Sequence, residues 1–264
     1  MYAKHLEVAI DAARKAGQIM LDRVNGPLDI QTKGSRVDFV TDADLACDAK
    51  IRETISATFP EHLLITEETI TPDLFARAKE SCWIVDPIDG TTNFTHGYPY
   101  SSVSIGYCEN GIPQVGVILN PYYNELFTAV RGHGAFLNDK PIHVSKAKSL
   151  ADSMIATGFA FRRDNPENTE AEFKRLAELL DSCHDIRRAG SAALDMAYVA
   201  CGRQDAFFET NLNPWDVAAG WVLIEEAGGK VTSHNGSVLD FTQKRQDLLC
   251  STSSIYDELH QLVG

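Results

Sequence analysis

The string Trp83-Ile84-Val85-Asp86-Pro87-Ile88-Asp89-Gly90-Thr91-Thr92-Asn93-Phe94 runs an apolar strand straight into a turn bearing two carboxylates. Asp86 and Asp89 can then face one pocket, Pro87 fixes the turn, and Gly90 admits a backbone angle that other residues avoid. The amides of Gly90, Thr91 and Thr92 can point together at an anion. One short segment thus offers cation ligands and an anion cradle side by side. An Asp-rich turn that only caps a following helix has the same local signature, and Asp-x-x-Asp alone does not separate the two.

Three further segments can bring carboxylates to the same place. Glu67 and Glu68 follow the apolar run Leu63-Leu64-Ile65, and neighbours on an extended chain point to opposite faces, so only one of them need turn inward. Asn213-Pro214-Trp215-Asp216 has the order of an N-cap and a first helical turn. Asp216 there either complements the helix dipole or serves as a third cation ligand, and the spacing leaves both readings open. In Asp38-Phe39-Val40-Thr41-Asp42-Ala43-Asp44, Asp44 can cap a helix and still reach a catalytic hydroxyl, while Asp38 and Asp42 read as turn or surface residues.

A ligand set made only of oxygen suits a hard divalent cation, with Mg2+ the natural choice and Mn2+ a substitute. The sequence has no His-Glu-x-x-His or Cys/His cluster for zinc, no Walker loop and no cysteine nucleophile in a phosphate loop. Paired cations would serve both ends of an in-line displacement at phosphorus, so direct attack by water without a phosphoenzyme is expected. The charge balance agrees: 24 Lys and Arg against 37 Asp and Glu give a net charge of -13. Such a surface repels polyanions, which argues against nucleic acid as a partner and requires a phosphate site to import its positive charge.

Those residues need a scaffold. Apolar positions at three- and four-residue spacing from Leu6 to Val24 mark an amphipathic helix, ended by Asn25-Gly26-Pro27. A second helix is expected from Asp44 to about Thr58, with Leu45, Ile51 and Ile55 facing inward. Leu63 to Ile65 and Cys82 to Val85 read as buried strands. Val103-Ile105-Tyr107 and Val115-Val117-Leu119 flank an Asn110-Gly111 hairpin turn. Past Pro141, strands at Met154–Thr157, His184–Arg187, Asp205–Phe208, Val231 and Leu248–Ser251 alternate with helices over Glu167–Leu180, Ser191–Cys201 and Pro214–Ala227, before a closing helix. This predicts layered helices and sheets of the α+β or α/β class. A soft boundary is expected near residue 140, with residues 1–140 an α+β lobe carrying most ligands and 141–264 an α/β lobe carrying Asp216 and the substrate-recognition residues. Six dispersed cysteines and a charged N-terminal segment predict a protein of the reducing cytoplasm that does not enter a membrane.

Taken together, D-x-V-T-x-x-D, E-E, D-P-I-D-G-T-T-N-F and P-W-D stand in the order seen in the inositol monophosphatase family, which the chain resembles over roughly residues 5 to 250. The resemblance implies an αβαβα fold, a homodimer, dependence on Mg2+ and inhibition by Li+. It places Glu67, Asp86 and the Ile88 carbonyl on one metal and Asp86, Asp89 and Asp216 on a second, with Glu67 helping to hold a weaker third ion through water. It pairs Thr91 with Asp44 to orient and deprotonate the attacking water, and it sets the amides around Gly90 and Thr91 on phosphate oxygens, with Thr92 beside them. Substrate identity falls to the stretch from Arg187 to Asp195 and to Phe207-Phe208-Glu209: Ser191 and Ala192 pack beside the sugar ring, and Glu209 receives a ring hydroxyl. The implied activity is hydrolysis of a small polyol or sugar phosphate monoester, myo-inositol 1-phosphate first. Histidinol phosphate and fructose 1,6-bisphosphate are the alternatives within the fold. A binding role in a transcription-antitermination assembly is the alternative of another class, with Arg187 and Arg188 its feature to watch.

Overall fold

The computed structural model describes residues 2–24, 26, 30–32, 39–159 and 166–264. Its first half comprises α1 (Ala3–Arg23), β1 (Ile30–Thr32), β2 (Phe39–Thr41), α2 (Asp42–Ser56), β3 (Leu63–Thr66), α3 (Pro72–Ala76), β4 (Cys82–Asp89), α4 (Thr91–Thr95), β5 (Ser102–Glu109), β6 (Ile112–Asn120), β7 (Glu125–Val130), β8 (Ala135–Leu137) and β9 (Lys140–Ile142). There follow β10 (Met154–Thr157), α5 (Pro166–Ser182), β11 (Asp185–Arg187), α6 (Ala192–Ala200), β12 (Ala206–Leu212), α7 (Pro214–Glu226), β13 (Gly229–Ser233), β14 (Gln246–Thr252) and α8 (Tyr256–Val263). Asn25, Pro27 and Asp38 lie outside the described residues.

Two mixed sheets organise the chain. Strands β3 to β9 form one in sequence order, parallel at β3–β4 and antiparallel elsewhere. The other has the order β11-β10-β12-β14-β13, parallel around β10 and antiparallel around β14.

Alternation along the strands sorts their side chains between layers. Trp83, Val85, Val103, Ile105, Val115 and Val117 pack on one side of the larger sheet with α1 and α2. Their neighbours Cys82, Ile84, Cys108, Ile118 and Phe127 face the other way, into a cluster with α6 and α7 that also takes Ala156, Phe207, Leu248 and Cys250 of the smaller sheet. Ile155, Ala206, Phe208 and Leu249 face outward again, onto α5 and α8. The result is five layers, helices–sheet–helices–sheet–helices. Both faces of each sheet are covered, which explains why the central strands carry almost no polar alternation.

Two glycines set how closely the middle helices approach. Gly106 and Gly116 are register partners on β5 and β6. A Cβ on Gly106 would lie 2.8 Å from Ala218 Cβ, and one on Gly116 would lie 2.4 Å from the Ala219 carbonyl oxygen. Without side chains there, α7 lies flat on the sheet, and Ser104 fixes its first turn by donating its hydroxyl to the Trp215 carbonyl at 3.2 Å.

Several sequence expectations shift. Helix α2 begins at Asp42 rather than Asp44, because Thr41 is the N-cap: its Oγ1 accepts the amides of Ala43 and Asp44. Leu45 is 51% exposed rather than buried; Ala43, Cys47, Ile51 and Ile55, four apart, form the inward stripe. Strand β4 does not stop before its carboxylates but runs through Asp89. Strands β7, β8 and β9 extend the larger sheet beyond the expected hairpin.

Candidate active site

The two aspartates of β4 are three residues apart, a spacing that in a regular strand sends side chains to opposite faces. The structure resolves this with a bulge. Asp86 pairs with Ser104 and Asp89 with Ser102, so β4 advances three residues while β5 advances two. The extra residue returns Asp89 to the side of Asp86. Pro87, which has no N–H to give the ladder, occupies the irregularity.

Helix starts bring the other groups. Asp44 and Asp216 each stand at the third helical position, where a carboxylate folds back on the cap. Asp44 Oδ2 accepts the Thr41 amide at 2.8 Å, and Asp216 Oδ2 accepts the Asn213 amide at 2.7 Å. Asp89 Oδ2 accepts the Ser191 hydroxyl at 2.5 Å and the Ala193 amide at 2.8 Å, at the start of α6. Asp86 Oδ1 takes the Ile88 amide at 3.0 Å. Each carboxylate is therefore aimed by at least one fixed donor.

One oxygen from each of Asp86, Asp89 and Asp216 falls within 4.8 Å of the others. Glu67, tied to β4 by its amide N–H to the Val85 carbonyl at 3.2 Å, is the member of the Glu67-Glu68 pair whose charge bears on all three. Burial, followed by repulsion from Glu67, Asp89, Asp216 and Asp44, holds the Asp86 carboxyl well above the usual range. Burial pushes Asp89 up to about 6 against the Ser191 and Ala193 hydrogen bonds, with Glu67 adding to the rise. Asp216 is likewise raised, by burial and then by Asp89. Three convergent carboxylates, two buried and the third half-buried, that disfavour one another's charge are the chemistry a hard divalent cation relieves, and an all-oxygen donor set fits Mg2+.

The hydroxyl of Thr91 sits 3.3 Å from Asp44 Oδ1 and 3.1 Å from the Ile88 carbonyl oxygen. Gly90, at φ +90°, turns β4 into α4, whose first amides include those of Thr91 and Thr92. A Cβ there would come within 3.1 Å of the carbonyl oxygens of Gly190 and Tyr100, so glycine is needed for both angle and space.

Beside the aspartates lies a cavity of about 130 Å³ whose walls include Asp89, Ala192, Asp195, Glu209, Asp216 and Arg188. Burial, then Asp216 and Asp195, pushes Glu209 up to about 8, with Arg188 opposing. Asp195, pushed to about 7 by burial, accepts the Tyr100 hydroxyl at 2.8 Å and the Gln204 amide at 3.4 Å. The structure thus brings together Asp44, Glu67, Asp86, Ile88, Asp89, Gly90, Thr91, Thr92, Ser191, Ala192, Glu209 and Asp216. The Ser191 hydroxyl is turned on Asp89 rather than into the cavity. Arg187 and Arg188 are both exposed, but Arg187 is paired with Asp185 at 2.6 Å and only Arg188 lines the cavity.

Four supporting residues were not singled out by spacing. Asn93 donates to the carbonyls of Tyr100 at 2.7 Å and Ala189 at 2.9 Å, locking the β4–α4 turn to the loop before α6. Tyr100 and Gln204 hold Asp195, and Gly158 makes room for Glu209. Only Asn93 carried a signal, as a polar residue inside the motif string.

The model of the inositol monophosphatase family matches residues 1–263. The chain belongs to the inositol monophosphatase family. The family is one of phosphoric monoester hydrolases, and its members include the inositol-1-monophosphatase of Synechocystis, 43% identical over 98% of this chain and 88% of that protein. Nus factor SuhB of Escherichia coli is 44% identical over 88% of this chain and 85% of its own. The extragenic suppressor protein suhB of Bartonella henselae superposes with a TM-score of 0.89 at 37% identity, over 99% of this chain and 98% of that one. An IMPase/NADP phosphatase solved with Mg2+ and phosphate superposes at 0.82 and 25% identity, over 94% and 90%. Among the described residues, no helix is long and apolar enough to cross a membrane.

Proposed function

We propose that this chain hydrolyses the phosphate monoester of a small polyol, with myo-inositol 1-phosphate its first substrate, in a Mg2+-dependent reaction of the cytoplasm. The convergence of Asp86, Asp89 and Asp216 oxygens within 4.8 Å beside a small polar cavity carries this reading. Glu67, Asp86 and the Ile88 carbonyl would hold one Mg2+, and Asp86, Asp89 and Asp216 a second. Bound there, the ions lower the pKa of water and stabilise charge on the leaving oxygen.

The protein's own groups do the remaining work. Thr91 has one hydroxyl proton and two acceptors, Asp44 and Ile88. With its hydroxyl proton donated to Asp44, Thr91 leaves its lone pairs to accept from an attacking water, and as it takes the water's proton its own passes to Asp44. The amides of Gly90, Thr91 and Thr92 at the start of α4, without partners inside the helix, receive phosphate oxygens. Ala192 packs against the ring, while Ser191 acts through Asp89. Glu209 accepts a ring hydroxyl. Labour divides near residue 140, with most ligands before it and the substrate-reading residues after it, in a homodimer.

Phosphate release from inositol 1-phosphate, histidinol phosphate and fructose 1,6-bisphosphate, with Mg2+ present or chelated and with Asp89→Asn alongside, tests this. Metal-dependent turnover abolished by the substitution, with inositol 1-phosphate preferred, supports it. Preference for histidinol phosphate by a wide margin overturns the substrate, and turnover of none of the three overturns the enzyme. In that last case the similarity to a Nus factor favours a binding role, tested by charge reversal at Arg187 and Arg188. A one-step attack predicts a single inversion at chiral phosphate; retention contradicts it.

A further inference from the structure

Among the described residues, Arg188 is the one cation lining the cavity beside the aspartates. Its guanidinium stands 5.5 Å from the centroid of the Phe159 ring, a cation–π distance that positions it at the cavity wall. Glu209 lines the same cavity. Space for its carboxylate exists because residue 158 is glycine: a Cβ there would fall 1.9–2.1 Å from the Glu209 carboxyl atoms. Among the described residues neither the Arg188 guanidinium nor the Glu209 carboxylate takes a hydrogen bond or an ion pair, and the two are not in ion-pair contact with each other. Asp195, another carboxylate of this cavity, is already engaged by Tyr100 and Gln204.

A cavity lined by an unengaged donor and an unengaged acceptor selects groups that do both. A hydroxyl does: it accepts from guanidinium and donates to carboxylate. A second phosphate does not, since it only accepts near neutral pH. Once Glu209 and Asp195 are ionised, a single guanidinium beside them leaves no net positive charge to hold it.

We propose that Arg188 is a specificity-determining residue which, with Glu209, clamps adjacent hydroxyls of the substrate's polyol and so favours polyol monophosphates over bisphosphates. The inference rests on the phosphatase reading above and extends it to the non-phosphate half of the substrate.

The test compares kcat/KM for inositol 1-phosphate, 4-nitrophenyl phosphate and fructose 1,6-bisphosphate in wild type, Arg188→Met and Arg188→Lys. 4-Nitrophenyl phosphate has the monoester without the hydroxyls. Removing a charged hydrogen bond to a substrate group lowers the ratio of inositol 1-phosphate to 4-nitrophenyl phosphate about tenfold or more in Arg188→Met, chiefly through KM. Arg188→Lys, which keeps the charge but loses the fork, falls between. Arg188→Met/Glu209→Gln costs less than the product of the single losses, because both residues grip the same hydroxyls. Equal losses on the two monoesters overturn the proposal, as does a loss confined to the bisphosphate, which marks Arg188 as a second-anion site. Should Arg188→Met fail to fold, the Lys variant reads the same ratio. A wild type that hydrolyses neither monoester instead overturns the phosphatase reading itself.

Discussion

Ser191 and Asp89 are 102 residues apart in the chain and joined by a 2.5 Å hydrogen bond from the serine hydroxyl to Oδ2 of the aspartate. The bond ties the larger sheet to the start of α6. It also orients a candidate ligand, since the same oxygen takes the Ala193 amide at 2.8 Å. Ser191→Ala removes this donor together with the helix cap that accepts from Leu194. The expected cost is about 1–2 kcal/mol. Thermal melting should show a fall of about 2–4 °C for each kcal/mol in a chain of this size, and Mg2+ titration should show weaker binding. An unchanged melt and unchanged Mg2+ affinity would mean the contact orients nothing.

Thr91→Val deletes the hydroxyl shared between Asp44 and the Ile88 carbonyl. If that hydroxyl relays the water proton, kcat falls about 10²–10³-fold, the size of a lost acid–base contribution, while KM changes little. Thr91→Ser keeps the hydroxyl and most of the rate. Equal loss in both variants, read from initial rates, would point to packing of the methyl group instead.

Asp89, Asp195 and Glu209, pushed up to about 6, 7 and 8 chiefly by burial, keep protons in the folded chain that the unfolded chain has already released. Proton binding thus favours the folded state below the ordinary carboxylate range, and this contribution is lost as pH rises through 6 to 8. In chelator, the melting temperature should fall across that window. Mg2+ should restore more of it at pH 8 than at pH 6, because the ion replaces the missing protons. A flat profile in chelator contradicts the charge crowding.

Gly90→Ala places a Cβ at φ +90° and 3.1 Å from two carbonyl oxygens. The left-handed angle alone costs about 1–2 kcal/mol, and the close contacts add to it. Lower melting temperature with loss of phosphate release is expected, against no change if the turn can relax.

Much of this was legible because local chemistry wrote it. Hydrophobic periods placed α1, β5, β6 and α7 within a few residues, and Asn213-Pro214 announced the start of α7 and so the place of Asp216. Other features depend on contacts that no period encodes. Whether Asp86 and Asp89 share a face turned on a bulge set by the β4–β5 register. Leu45 faces solvent because Ala43 and Cys47, small residues with little apolar signal, fix the helix phase. The short strands β8 and β9 hold three residues each, too few to show a period. Strain relief at Gly158 and the Asn93 bridge join segments about 50 and 96 residues apart. In the site, residue types named the chemistry, but the partner that aims each carboxylate emerged only from the fold.

The most direct test of metal-dependent hydrolysis at this site is the initial rate of phosphate release from inositol 1-phosphate as Mg2+ is titrated into chelator-treated protein, wild type against Asp86→Asn. Asp86 is the residue assigned to both ions. No release is expected without Mg2+, a saturable rise in the wild type, and no release from Asp86→Asn at any Mg2+ concentration; release in chelator, or a wild-type rate from the variant, would contradict two-ion catalysis at Asp86.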